Sequence, residues 1–129
     1  MKKYPYPTLI GSLMYLAICT RPDIAYGVFT LSQYCSNPGI KHWRAIKRIL
    51  QYLKYTNDYG IKYSKNESFI LLSYSDASWL TFKEDSKSLT KGCNIIAGGA
   101  ISWTCKKQSL VAQPSCEAEY IVASNVAMK

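Results

Sequence analysis

The apolar residues of this chain change period part-way along, and that change restricts the folds open to it. From about residue 7 to residue 55 the pattern is helical, with apolar residues nearly continuous over 7–19 and at three- and four-residue intervals over about 41–55. Beyond Asn57-Asp58 they fall into short runs and alternations. Period 3.6 belongs to helices and period 2 to strands. Helices therefore come first and strands follow.

The third helical segment, about 41–55, is the clearest. Trp43, Ile46, Ile49, Leu50 and Leu53 form one apolar face, while Lys41, Arg44, Lys47, Arg48 and Lys54 fill the remaining surface with no acid among them. Ahead of it, residues 7–19 are apolar nearly all round, which predicts a buried helix rather than an amphipathic one. Thr20-Arg21-Pro22-Asp23 breaks that helix. Pro22 suits the first turn of a second helix reaching about Cys35, and Asn37-Pro38-Gly39 ends it.

In the second half, Tyr59 to Tyr63 and Phe69 to Tyr74 read as strands joined by a turn at Lys65-Asn66-Glu67. A loop rich in Lys, Glu and Ser covers about 81–88. Ser88 to Ala97, a turn at Gly98-Gly99, and Ala100 to Cys105 read as an antiparallel hairpin. Ser115 to Lys129 closes the chain as a helix with Ser115 as its N-cap. Helices, then antiparallel strands, then one helix predict an α+β fold.

Composition narrows the function. Hydrophobic residues make up 48% of the 129, which supplies a core and argues against disorder. Sixteen Lys and Arg face eight acids, a formal charge of +8. Such a balance favours polyanions, meaning nucleic acid or an anionic membrane surface. Cys19, Cys35, Cys93, Cys105 and Cys116 form no C-x-x-C pair and lie far in sequence from the single histidine, His42. This pattern opposes a zinc site and fits a reduced, intracellular chain. Met1-Lys2-Lys3 before the apolar run Leu9 to Cys19 has the outline of a secretory signal. However, Pro5 and Pro7 separate the charges from the run, and Gly11, Ser12 and Tyr15 dilute it. The run is too short to span a membrane.

Few residues can carry chemistry. Asp76 lies where an apolar strand ends, a common place for a metal ligand, but for a lone Asp the capping of a turn is the simpler reading. Glu117 and Glu119 fall in the first turns of the last helix, where acids offset the macrodipole. Two residues apart, they point to different sides, and spacing does not choose between them. No phosphate-binding glycine loop, G-x-S-x-G or H-E-x-x-H is present.

A longer set of motifs goes further. Tyr6-Pro7-Thr8-Leu9-Ile10-Gly11-Ser12-Leu13-Met14-Tyr15-Leu16 precedes Thr20-Arg21-Pro22-Asp23-Ile24-Ala25, then His42-Trp43-Arg44-Ala45 and Lys47-Arg48-Ile49-Leu50-Gln51-Tyr52-Leu53-Lys54. Tyr74-Ser75-Asp76-Ala77, Ile101-Ser102-Trp103, Lys106-Lys107-Gln108 and Glu117-Ala118-Glu119-Tyr120 follow. In this order they resemble the Pol polyprotein of Ty1/copia-type retrotransposons, from the end of the reverse transcriptase into ribonuclease H.

The resemblance implies a helical connection-like region over 1–57 and a truncated ribonuclease H-like domain over 58–129. It implies descent from an enzyme that degrades RNA in RNA–DNA hybrids with two Mg²⁺ ions held by clustered carboxylates. It assigns catalytic and metal-ligand roles to Asp76 and Glu119, and leaves Glu117 as a helix-start acid. It also exposes departures. The family's third carboxylate, in an Asp-Asn motif, is expected beyond Lys129. Ser78 stands where the family repeats Asp, and Leu89 interrupts a Ser-Thr pair.

Three expectations follow. The first is a Pol fragment inactive alone. Its weak partner would be an RNA–DNA hybrid or other nucleic acid, bound through Lys41, Arg44, Lys47, Arg48, Lys106 and Lys107. It would be intracellular, with no membrane partner, and open to self-association through an unpaired sheet edge. The second is a ribonuclease H completed by oligomerisation. The third is a secreted effector-like protein derived from a copia element, although no Arg-x-Leu-Arg motif is present.

Overall fold

The computed structural model describes residues 5–82, 87–108 and 115–127. Two compact units divide the chain, Met1–Gly60 and Ile61–Lys129. The architecture is α+β, with helices followed by a three-stranded antiparallel sheet and a further helix.

The first unit contains α1 (Tyr6–Cys19), a 3₁₀ turn (Pro22–Ile24), α2 (Ala25–Ser32) and α3 (Ile40–Tyr55). In α1 the buried residues are Tyr6, Ile10, Leu13 and Ala17, spaced four, three and four apart. Tyr15 and Ile18 face solvent. The expectation of a helix buried all round is therefore corrected: helical neighbours within the unit cover only one stripe. α2 also stops earlier than expected. The N–H groups of Tyr34 and Cys35 bond to the carbonyls of Leu31 and Ser32, tightening the last turn into 3₁₀ geometry.

α3 begins where Nδ1 of His42 accepts the Gly39 N–H at 3.0 Å, half of a capping box, and Tyr34 stacks on the His42 ring at 4.0 Å. Ile46 seats this helix in a core with Ile24, Val28, Leu31 and the buried residues of α1, flanked by Trp43, Ile49 and Leu53. Leu50, expected on the apolar face, is partly exposed because it lies at the margin of that face. Each fully buried aliphatic side chain contributes about 1.5–3 kcal/mol.

A polar clasp closes the unit. The buried guanidinium of Arg21 donates to both oxygens of Asp23 (Nε to Oδ1 at 3.0 Å, Nη2 to Oδ2 at 2.7 Å). It also donates to the carbonyl and hydroxyl of Thr56 at 2.9 and 2.7 Å. The Tyr52 hydroxyl donates to Asp23 Oδ2 at 2.9 Å. The clasp ties the break after α1 to the end of α3.

The second unit holds β1 (Leu72–Phe82), β2 (Lys87–Ile96), β3 (Gly99–Lys107) and α4 (Ser115–Ala127), with sheet order β1-β2-β3. Tyr59 to Tyr63 does not form the expected strand. The Ser64 N–H bonds to the Ala97 carbonyl and the Ala97 N–H to the Ser68 carbonyl, so residues 64–68, just after it, attach to the turn of the β2–β3 hairpin. β1 consequently starts at Leu72, leaving Phe69, Ile70 and Leu71 exposed, and Asp76 falls mid-strand rather than at a strand end. The expected N-cap contact of Ser115 lies outside the described side chains.

The hairpin turn is Ala97-Gly98 rather than Gly98-Gly99, since Ile96 pairs with Gly99. Both turn residues have positive φ, 50° and 78°, as a right-twisted two-residue hairpin demands. Alanine is strained there. Ala97→Gly should stabilise the hairpin by about 0.5–1 kcal/mol, as the relief of a left-handed residue exceeds glycine's extra unfolded-state entropy. Hydrogen exchange of the β2 and β3 amides checks this.

Burial in this unit is thin and polar. Leu89, Ala97 and Val122 are the buried apolar residues described, beside Ser88, Thr90, Asn94 and Gln108. The side-chain oxygens Ser88 Oγ, Asn94 Oδ1 and Thr104 Oγ1 are buried without hydrogen-bond partners, each a cost of about 1–3 kcal/mol.

Candidate functional site

Within the second unit, α4 packs against β1 and leaves an open groove of about 440 Å³. Ser75, Asp76 and Ala77 line it from β1, and Cys116, Glu119, Tyr120, Val122 and Ala123 from α4. Residues 116, 119, 120 and 123 share a helix face by their three- and four-residue spacing. Glu117 lies off that face and does not line the groove. The structure thus brings Asp76 and Glu119 to one place.

It also places a residue there that the sequence did not single out. Lys91 stands directly opposite Asp76 in the β1–β2 ladder. Its ammonium donates to Asp76 Oδ2 at 3.0 Å and to Ser78 Oγ at 2.7 Å. Lys91 is one of sixteen basic residues, and only the register of β2 against β1 distinguishes it.

The groove does not fit a pair of Mg²⁺ ions. Among the described residues no group of three His, Cys, Asp or Glu is placed to hold a metal. Of the two carboxylates present, Asp76 is already bonded to a cation. Magnesium demands near-octahedral oxygen ligation, and an ammonium against one of its few ligands opposes it.

The basic residues fall into two sets. On α3, Lys41, Arg44, Lys47 and Arg48 are all exposed, and Lys47 lies 6.0 Å from the centre of the Trp43 ring. Tyr52 and Tyr55 are exposed along the same helix. Lys106 and Lys107 are successive residues of β3, so they point to opposite faces and do not form one patch. His42 caps and packs, and is not part of either set. No described helix is long and apolar enough to cross a membrane.

The chain is similar to known proteins along nearly its whole length. The chain is 44% identical over 124 residues to the retrovirus-related Pol polyprotein from transposon TNT 1-94 of Nicotiana tabacum, covering 96% of this chain and 9% of that protein. It is 46% identical over 121 residues to the corresponding polyprotein from transposon RE1 of Arabidopsis thaliana, covering 93% and 8%. The chain belongs to the copia-type retrotransposon Pol family.

Within that family this Pol segment spans less than a tenth of the plant polyproteins it matches. It is also 42% identical over 124 residues to a secreted RxLR effector protein 161 of Plasmopara viticola, covering 96% of this chain and 87% of that protein. No family model matches the sequence, and no solved structure matches it.

Proposed function

We propose that this Pol segment derives from the junction of reverse transcriptase and ribonuclease H, and that its own molecular property is weak, salt-sensitive nucleic-acid binding without catalysis. Residues 1–57 are read as the connection-like part and 58–129 as the ribonuclease H-like part. The succession of helices, antiparallel sheet and helix supports this, as does the groove shared by Asp76 and Glu119. The carrying observation for binding is the acid-free, solvent-exposed face of α3.

Each Lys or Arg set against a phosphate releases a condensed counterion. The four cations of α3 should give a log–log salt slope of roughly −3 to −4 on an RNA–DNA hybrid, measured by fluorescence anisotropy. Replacing Lys41, Arg44, Lys47 and Arg48 by alanine should flatten that slope. Binding indifferent to salt, or no binding at low salt, would sink the reading. With Mg²⁺ or Mn²⁺ added, the RNA strand should stay intact. Cleavage abolished by Asp76→Asn would instead favour a nuclease completed by association, for which the open edge of β1 among the described residues is the available surface.

An intracellular location, cytoplasmic or nuclear, accords with five free thiols and with an N-terminal apolar run used as core in α1. The effector relative supports a second reading, export as an interaction protein. Expression of the tagged chain separates them: retention with an intact N-terminus supports the first, and recovery of cleaved chain outside the cell the second.

A further inference from the structure

The Asp76 carboxylate already has its cation, and that cation is covalently part of the chain. Lys91 is not a distant side chain that happens to reach Asp76. The two are ladder partners, so backbone pairing of β1 with β2 presents one to the other. Ser78, two residues further on the same face of β1, supplies a second acceptor at 2.7 Å. An ammonium has donors only, so both oxygens accept from it. We propose that Lys91 acts as a built-in counter-ion that takes the place of a divalent metal at Asp76 and sets this groove against divalent cations.

The charges agree with this. Asp76 and Glu119 alone would present two negative charges to an incoming cation. With Lys91 at 3.0 Å the same groove presents one. A divalent ion on the free side of Asp76 would stand only a few ångströms from Nζ. Even at the dielectric constant of water, repulsion between a double and a single charge at about 6 Å weakens binding roughly tenfold. The opposing effect is that an exposed ion pair is weak and can open. Opening, however, would forfeit the Ser78 bond along with the Asp76 bond. The inference rests on the geometry of the groove and holds whether or not the groove ever meets nucleic acid.

The test is direct metal binding by the full chain. Mn²⁺ is titrated while paramagnetic broadening of backbone amide signals around Asp76 and Glu119 is followed. The chains compared are the unaltered protein, Lys91→Met, Lys91→Gln, Lys91→Arg and Lys91→Met with Asp76→Asn. The neutral variants should show site-specific broadening at about one-tenth of the Mn²⁺ concentration the unaltered chain needs. Lys91→Arg should stay refractory, and the double variant should lose the gain. Either neutral variant with a native-like spectrum suffices. Broadening of the unaltered chain at the same Mn²⁺ concentration as the neutral variants overturns the proposal. So does a folded neutral variant that gains nothing.

Discussion

Asp23→Ala should destabilise the helical unit by about 2–3 kcal/mol, the largest single effect expected in this protein. The guanidinium of Arg21 is buried and makes five hydrogen bonds, three of them to Asp23. Removing the carboxylate leaves a buried cation half-satisfied. Loss of one member of a buried pair costs about 3–5 kcal/mol. The expected loss lies at or just below the low end of that range because the Asp23 side chain is about a third exposed. Tyr52 would lose its acceptor as well. Denaturant unfolding followed by far-ultraviolet circular dichroism measures the loss.

The same pair fixes a pH dependence. Hydrogen bonding from Arg21, against an opposing contribution from burial, holds the Asp23 carboxyl below its usual value of 3.8. A carboxyl depressed in the folded state contributes stability that is full above the unfolded value and is lost as pH falls through the folded one. Stability should therefore hold down to about pH 4 and fall below it, with this part of the slope missing in Asp23→Asn. An identical acid profile in that variant would show that the clasp does not govern the transition.

Gly99→Ala should cost the sheet unit about 1–3 kcal/mol, the expected penalty for forced overpacking. A Cβ there would lie 2.6 Å from Cδ1 and Cε1 of Tyr63 and 2.9 Å from the Lys62 carbonyl oxygen. The ring can turn aside only by giving up the hydrogen bond from its hydroxyl to the Ala100 carbonyl. The backbone oxygen has less freedom still. Adding Tyr63→Ala should relieve the ring clash and leave the carbonyl clash, so recovery should be partial. Hydrogen exchange of the β2 and β3 amides would read both variants. Unchanged exchange in Gly99→Ala would show that the segment shifts at no cost.

The helical half was the more legible because its signals are local. The apolar face of α3 can be read from adjacent residues and falls where the helix does, and Asn37-Pro38-Gly39 leads up to the α3 N-cap at Gly39, although α2 itself already ends at Ser32. What failed was non-local. Nothing within Tyr59 to Tyr63 reveals that its neighbours bond to the β2–β3 turn instead of forming a strand. Gly98-Gly99 looks like a turn pair, but the register set along the whole hairpin moves the turn back to Ala97. At the groove, Asp76 and Glu119 were reached through family motifs, with spacing alone undecided between Glu117 and Glu119. Lys91 could not be reached at all, because its partner lies 15 residues away across a ladder.

Phe69, Ile70, Leu71 and Leu72 stand exposed one after another, leading into a strand with an open edge among the described residues. An extended apolar run of this kind is a handle for chaperones and proteases as much as a packing fault. Its persistence in a cell is then a matter of triage. Abundance would follow how fast the run is captured or cleaved, more than how tightly any single contact holds the fold.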